Sequence, residues 1–189
     1  EKTALAITIA NREKALLQDL DYENGYSLYV GIPFCPSICL YCSFGSHPLE
    51  RWTKRVDEYL DTLCKELTFI REQMGTRKLT TVYIGGGTPT TLEPEQLRRL
   101  LSHIQETFDF TWVKEYTVEA GRPDSITREK LQVMKEFPVT RISVNPQTMN
   151  QKTLDVIGRK HTVEDTVNIF HMARELEFDN INMDLIIGL

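Results

Sequence analysis

No stretch of this sequence approaches the run of about 20 apolar residues that a membrane helix needs, so nothing in it reads as a membrane span. The opening residues, Glu1-Lys-Thr-Ala, are polar and carry no signal-peptide pattern. Positive charge is not in excess: 22 Lys and Arg stand against 27 Asp and Glu, a net charge of −5. That balance removes the electrostatic case for nucleic acid or an anionic membrane surface as partner. Low-complexity linkers are missing, and with them any sign of a second domain. Cysteine is scarce, four in 189 residues, and nothing here looks like the disulfide framework of a secreted protein. What remains is a chain long enough for one domain with a real core, carrying reduced cysteines and expected in a cytoplasm.

Three of the four cysteines stand together. Cys35, Cys39 and Cys42 lie in Tyr29-Val-Gly-Ile-Pro-Phe-Cys-Pro-Ser-Ile-Cys-Leu-Tyr-Cys42, a C-x3-C-x2-C spacing with an aromatic just before the third. Four thiolates would close an iron–sulfur or zinc site; three leave a metal position open, and open positions do chemistry. The spacing folds one short loop around a single cubane whose fourth iron takes a ligand from outside the protein. A zinc site of three cysteines and His47, five residues after Cys42, is the competing reading. Cys64 shares a helical stripe with Leu60, Leu63, Leu67 and Ile70 and reads as a small core residue.

Helix and strand patterns alternate along the chain. A helical start over Ala4–Leu20 leads to a strand at about Tyr26–Ile32, then the cysteine loop, a long helix at about Arg51–Met74 and a strand at Thr80–Ile84. A helix opens at Pro94. The strand Tyr116–Glu119, the helix Thr127–Phe137 and the strand Thr140–Val144 follow. Helices from about Asn150 and from Thr162, and a final strand over Asn180–Ile187, complete the pattern. Repeated β-α units predict an α/β fold: a partial (β/α) barrel, a parallel sheet with outer helices that ends after about five strands. Residues 1–25 form a helical lead-in and 26–189 the core. The chain stops at Gly188-Leu189, where a strand would hand over to its loop, and is expected to be a piece of a longer protein.

The chemically distinctive residues fall at or just after strand ends, where a barrel gathers its site. Gly85-Gly-Gly-Thr-Pro-Thr90 exposes backbone amides to a ligand's amino and carboxylate groups; it is not a P-loop, since no Lys-Ser/Thr follows. Glu119 ends a strand, where a lone acid is ordinarily a solvated edge charge. Gln147, Arg159 and Asp184 are, one by one, ordinary surface or structural residues. Asp184 is the least ordinary, because it sits in the apolar run Ile181–Ile187 and needs a partner, a ligand hydroxyl or Arg159. His161 is expected only to shape its loop.

With these residues in hand, the chain resembles the radical S-adenosylmethionine (SAM) superfamily. More closely it resembles the oxygen-independent coproporphyrinogen III dehydrogenase family and its paralogues, from about Tyr26 to Leu189. The carriers are Tyr29–Cys42, Gly85–Thr90, Val118-Glu-Ala120, Arg141-Ile-Ser-Val-Asn-Pro-Gln147, Gly158-Arg-Lys-His-Thr162 and Asn182-Met-Asp-Leu-Ile186.

The resemblance implies the barrel of that superfamily, with a [4Fe–4S] cluster on Cys35, Cys39 and Cys42 and SAM chelating the fourth iron. It implies a second SAM beside the first. Tyr29, Gly86 and Glu119 would contact the cluster-bound molecule; Tyr41, Gly87, Thr88, Gln147, Arg159 and Asp184 would line the second site. A low-potential electron donor and a porphyrinogen substrate, whose propionates are decarboxylated to vinyl groups in haem biosynthesis, are implied likewise. The same residues suit a haem-binding chaperone paralogue, or a radical enzyme acting on another substrate. No catalytic residue beyond these ligands is assigned.

Overall fold

The structure is a computed structural model that describes the whole chain except Glu1, Asp19, Tyr22 and Ser46. Helix α1 (Lys2–Leu17) lies ahead of the sheet, and its described side chains are exposed. Its apolar residues explain this: Leu5, Ile7 and Ile9 are spaced two apart and cannot share one helical face.

Strand β1 (Gly25–Ile32) enters the core, and the cysteine loop follows, bracketed by the two-residue strands β2 (Phe34–Cys35) and β3 (His47–Pro48). After it come α2 (Leu49–Trp52), α3 (Val56–Met74), β4 (Lys78–Gly86), α4 (Pro94–Thr107), β5 (Glu115–Gly121) and α5 (Arg128–Lys135). The chain continues through β6 (Arg141–Val144), α6 (Gln151–Val156), α7 (Val163–Glu175) and β7 (Ile181–Asn182). Five strands form one sheet in the order β1-β4-β5-β6-β7, every pair parallel, as successive β-α crossovers require.

The register sorts the strands into two faces. Leu28, Val30, Ile32, Val82, Ile84, Tyr116, Val118, Ile142 and Val144 are buried toward the helices. Leu60, Leu63 and Leu67 of α3 and Leu97, Leu100, Leu101 and Ile104 of α4 join them in one core cluster. Each such side chain contributes about 1.5–3 kcal/mol by leaving water. The alternate positions, Tyr29, Tyr83, Thr117, Glu119, Arg141 and Ser143, fall on the opposite face, which is polar and aromatic. Alternation within a parallel sheet means that helices cover only one side, which is the half-barrel expectation. Among the described residues no helix is long and apolar enough to cross a membrane.

Two expectations change. The helix predicted over Arg51–Met74 is broken by a 3-10 turn at Thr53–Arg55. There the Thr53 hydroxyl donates to the Leu49 carbonyl at 2.9 Å and the Trp52 ring packs on His47. The final strand, predicted over Asn180–Ile187, pairs regularly only at Ile181–Asn182. Its neighbour stops at Val144 because Pro146 has no N–H and Gln147 turns the backbone to φ 68°. One isolated bridge, Gln147 to Leu185, resumes the contact.

Helix starts are chemically specified. Glu93 and Gln96 form a capping box at α4, Thr162 and Asp165 another at α7, and the Thr127 hydroxyl accepts from the Lys130 N–H at α5.

Candidate functional site

The cysteine loop leaves β1 at its C-terminal end and is held there by backbone. The Gly87 N–H donates to the Ile32 carbonyl at 2.7 Å, and the Thr88 N–H to that of Phe34 at 2.8 Å. The glycine run of β4 therefore lies directly against the loop. A Cβ on Gly87 would stand 2.6 Å from the Phe34 carbonyl oxygen and 3.0 Å from Cys35 Sγ; only glycine fits so close to the sulfur. Gly86 also has φ +105°, which side chains rarely adopt. On the far side the Leu40 N–H donates to the Ile157 carbonyl at 3.0 Å, and the Ser37 hydroxyl to that of Gly158 at 3.3 Å. Strand ends and the α6 loop thus grip the cysteines from two directions.

All four cysteines are thiols; Cys35 and Cys39 are buried and Cys42 half-buried. Cys35, Cys39 and Cys42 line one cavity with Ser37, Tyr41, Gly87, Thr88, Glu119, Gly121, Arg122, Asn145 and Arg159. Hydrogen-bond donors reach two of the sulfurs: the Thr88 hydroxyl approaches Cys35 Sγ at 3.6 Å and Arg122 Nη1 approaches Cys39 Sγ at 3.7 Å. Among the described residues no three His, Cys, Asp or Glu side chains stand close enough to hold a single metal ion. A tetrahedral zinc site needs its donors within ~2.0–2.3 Å of one centre. His47 is engaged with the Trp52 ring at 4.9 Å. Three thiols, donors aimed at their sulfurs and a glycine wall with no room for a Cβ fit an iron–sulfur cubane better than one ion. Cys64 is half-buried between α3 and α4 rather than in the core, and burial raises its thiol pKa.

The remaining predicted residues fall in three groups. Tyr41, Gly87, Thr88, Glu119 and Arg159 share the cysteine cavity. Tyr29 and Gly86 line an adjoining cleft of about 360 Å3 with Phe44 and Gly87, so Gly87 borders both spaces. Tyr29 stacks on Tyr83, ring centroids 5.9 Å apart, on the polar face of the sheet. Glu119 is half-buried, and burial, followed by the nearby Asp184 charge, pushes its carboxyl up to about 7. The Gly86 N–H, the Tyr83 hydroxyl and Asn145 Nδ2 all donate to it. A solvated edge charge it is not.

Asp184 departs from expectation. It is exposed, and its carboxylate accepts from Asn182 Nδ2 at 2.7 Å rather than from Arg159. The strand that was to bury it ends too early. Its backbone carbonyl accepts from the Gln147 N–H at 3.0 Å, so these two predicted residues sit side by side beyond the cavity. Arg159 is buried and donates instead to the Asn145 carbonyl at 2.6 Å and the Tyr41 hydroxyl at 2.8 Å; its Nε has no partner among the described residues. Burial raises the Tyr41 phenol pKa, with Arg159 opposing.

Arg122, Asn145 and Ser37 were not singled out as site residues by sequence reasoning. Arg122 is only 3% exposed and holds Asp124 in a two-pronged ion pair at 2.9 and 2.6 Å. Burial works against its charge, but Asp124 and the Cys39 and Cys35 sulfurs outweigh that and keep its pKa above the ordinary value. Its one sequence signal is position: it follows Glu119 by three residues at a strand end. His161 is buried beside Arg159, and burial, reinforced by Arg159, lowers its ring pKa to about 4.

A family model described as the radical SAM superfamily matches residues 29–189. The oxygen-independent coproporphyrinogen-III oxidase-like protein HemZ of Bacillus subtilis is 44% identical, over 100% of this chain and 38% of its own length. The heme chaperone HemW of the same organism is 41% identical, over 86% of this chain and 42% of its own length. The solved structure of coproporphyrinogen III oxidase (HemN) from Escherichia coli superposes with a TM-score of 0.80 at 31% identity. That superposition covers 93% of this chain and 41% of the other. The chain therefore spans about two fifths of the length of these relatives.

Proposed function

The chain belongs to the radical SAM superfamily, and we propose that it is the core of an enzyme that oxidatively decarboxylates the propionates of coproporphyrinogen III to vinyl groups without oxygen. Membership implies an iron–sulfur cluster and SAM; Cys35, Cys39 and Cys42 would hold the cluster. When bound, cluster and SAM would supply the radical chemistry for removing a hydrogen from the propionate, and the electron left by loss of CO2 would require an acceptor. The observation that carries the reading is the meeting of three thiols, the Gly86–Thr88 wall and Glu119 at adjoining strand ends, in a chain so like the Escherichia coli oxidase.

The chain's own groups do the positioning. Tyr29, Gly86 and Glu119 would receive the first SAM: the Glu119 carboxylate meets a ligand ammonium, and Gly86 gives it room. Tyr41, Gly87, Thr88 and Arg159 would bound a second SAM, with Gln147 and Asp184 at its outer edge. Arg159 Nε, without a partner among the described residues, is a donor available to such a molecule. Cys35 and Cys39 are buried among these groups. An electron donor of low potential is required.

A second reading, transfer of haem as a chaperone, is favoured by the 41% identity to the Bacillus subtilis heme chaperone. A third keeps the radical chemistry on another substrate. One experiment separates them. The full-length protein, reconstituted anaerobically, is given SAM, a low-potential reductant and coproporphyrinogen III, and 5′-deoxyadenosine and vinyl products are quantified together. Matched, substrate-dependent formation of both is expected. SAM cleavage without vinyl product points to another substrate; neither, with stoichiometric haem binding, points to the chaperone.

A further inference from the structure

We propose that Arg122 and Asp124 form a charge pair that sets the reduction potential of the cysteine-held cluster, Arg122 raising it and Asp124 restraining it. The inference rests on the radical SAM reading. Arg122 Nη1 donates to Ser37 Oγ at 2.8 Å and to the Ser37 carbonyl at 3.1 Å, and the same nitrogen lies 3.7 Å from Cys39 Sγ. Nε and Nη2 are taken by Asp124 at 2.9 and 2.6 Å. The guanidinium is therefore locked on both sides, with one prong on a ligand sulfur and the others on a carboxylate.

Reducing a cluster adds negative charge to it. A fixed cation against a ligand sulfur stabilises that state, and burial amplifies the effect because little water screens it. The carboxylate on the other prongs acts in the opposite sense. Arg159, the other buried arginine of the cavity, directs its hydrogen bonds to a carbonyl and a phenol instead of a sulfur. Thr88 donates to Cys35 Sγ without a charge. Arg122 is thus a charged donor placed on the Cys39 sulfur, and Asp124 is its counterweight.

The test is a redox titration with titanium(III) citrate and mediators, followed by electron paramagnetic resonance of the reduced cluster. It needs the cluster but neither SAM turnover nor a tetrapyrrole. A wild-type protein that takes up iron and sulfide and gives the reduced signal satisfies the family reading whatever the variants do. In Arg122→Gln the ratio of reduced to oxidised cluster at the wild-type midpoint is expected to fall about tenfold, ~59 mV for one electron. Arg122→Lys keeps the charge and is expected to stay near wild type. Asp124→Asn is expected to shift the ratio the other way. A purely structural link would move Arg122→Gln and Asp124→Asn alike and would not be rescued by lysine. Unchanged potentials in the loaded variants, or shifts of one sign in both, overturn the proposal. If Arg122→Gln holds no cluster, Asp124→Asn decides: a potential that fails to rise overturns it.

Discussion

Arg159 donates to the hydroxyl of Tyr41 at 2.8 Å, across 118 residues of chain, while its other prong reaches the Asn145 carbonyl at 2.6 Å. One buried guanidinium thereby ties the cysteine loop to the end of β6. Arg159→Ala leaves a buried carbonyl without its donor, which is expected to cost about 1–3 kcal/mol. Urea unfolding of the two proteins measures it, and a difference within error would show that water replaces the arginine.

Gly87→Ala places a methyl group 3.0 Å from Cys35 Sγ and 2.6 Å from a backbone oxygen, where nothing flexible can yield. The β4 end must then move away from the cysteine loop. Iron and sulfide content after anaerobic reconstitution is expected to fall severalfold while the far-ultraviolet circular dichroism is retained.

Replacing Cys35, Cys39 or Cys42 with serine is expected to abolish the charge-transfer absorption of the reconstituted protein in each case. Cys64→Ser, on the α3–α4 side, is expected to retain it. Loss of the cluster in Cys64→Ser alone would contradict the ligand assignment.

His161 is neutral in the folded state, its pKa near 4 against about 6.5 in the unfolded chain. As pH falls below 6.5 the unfolded chain gains a proton that the folded one refuses, so stability is lost between pH 6.5 and 4. His161→Phe is expected to flatten this part of the stability profile. A slope unchanged by the substitution would assign the loss to other groups.

Glu119 acts with the opposite sign. Its folded pKa near 7 exceeds the unfolded value of about 4.3, so the folded state keeps a proton that the unfolded state gives up. Stability falls as pH rises from 4.3 to 7 and then levels. Glu119→Gln is expected to gain on wild type across that window, read as a widening difference in denaturation midpoint between pH 5 and 8.

The sequence by itself determined the alternation of elements, the helix starts at Pro94, Thr127 and Thr162, and the gathering of three cysteines in one loop. These depend on local chemistry: side-chain period, caps at Thr127 and Thr162, and sulfurs three and four residues apart. The partners of single polar groups were decided only by tertiary structure. Asp184 lay in an apolar run that looked buried, yet the strand ended at Asn182 because Pro146 and Gln147 withdrew its neighbour. Arg159 bonds Tyr41 and Asn145 instead of the acid expected. Arg122 meets Cys39 only because parallel strands end level and bring β5 against the loop after β1. Periodicity records which face a residue takes; which distant atom fills the space beyond that face is settled by the packing of the whole sheet.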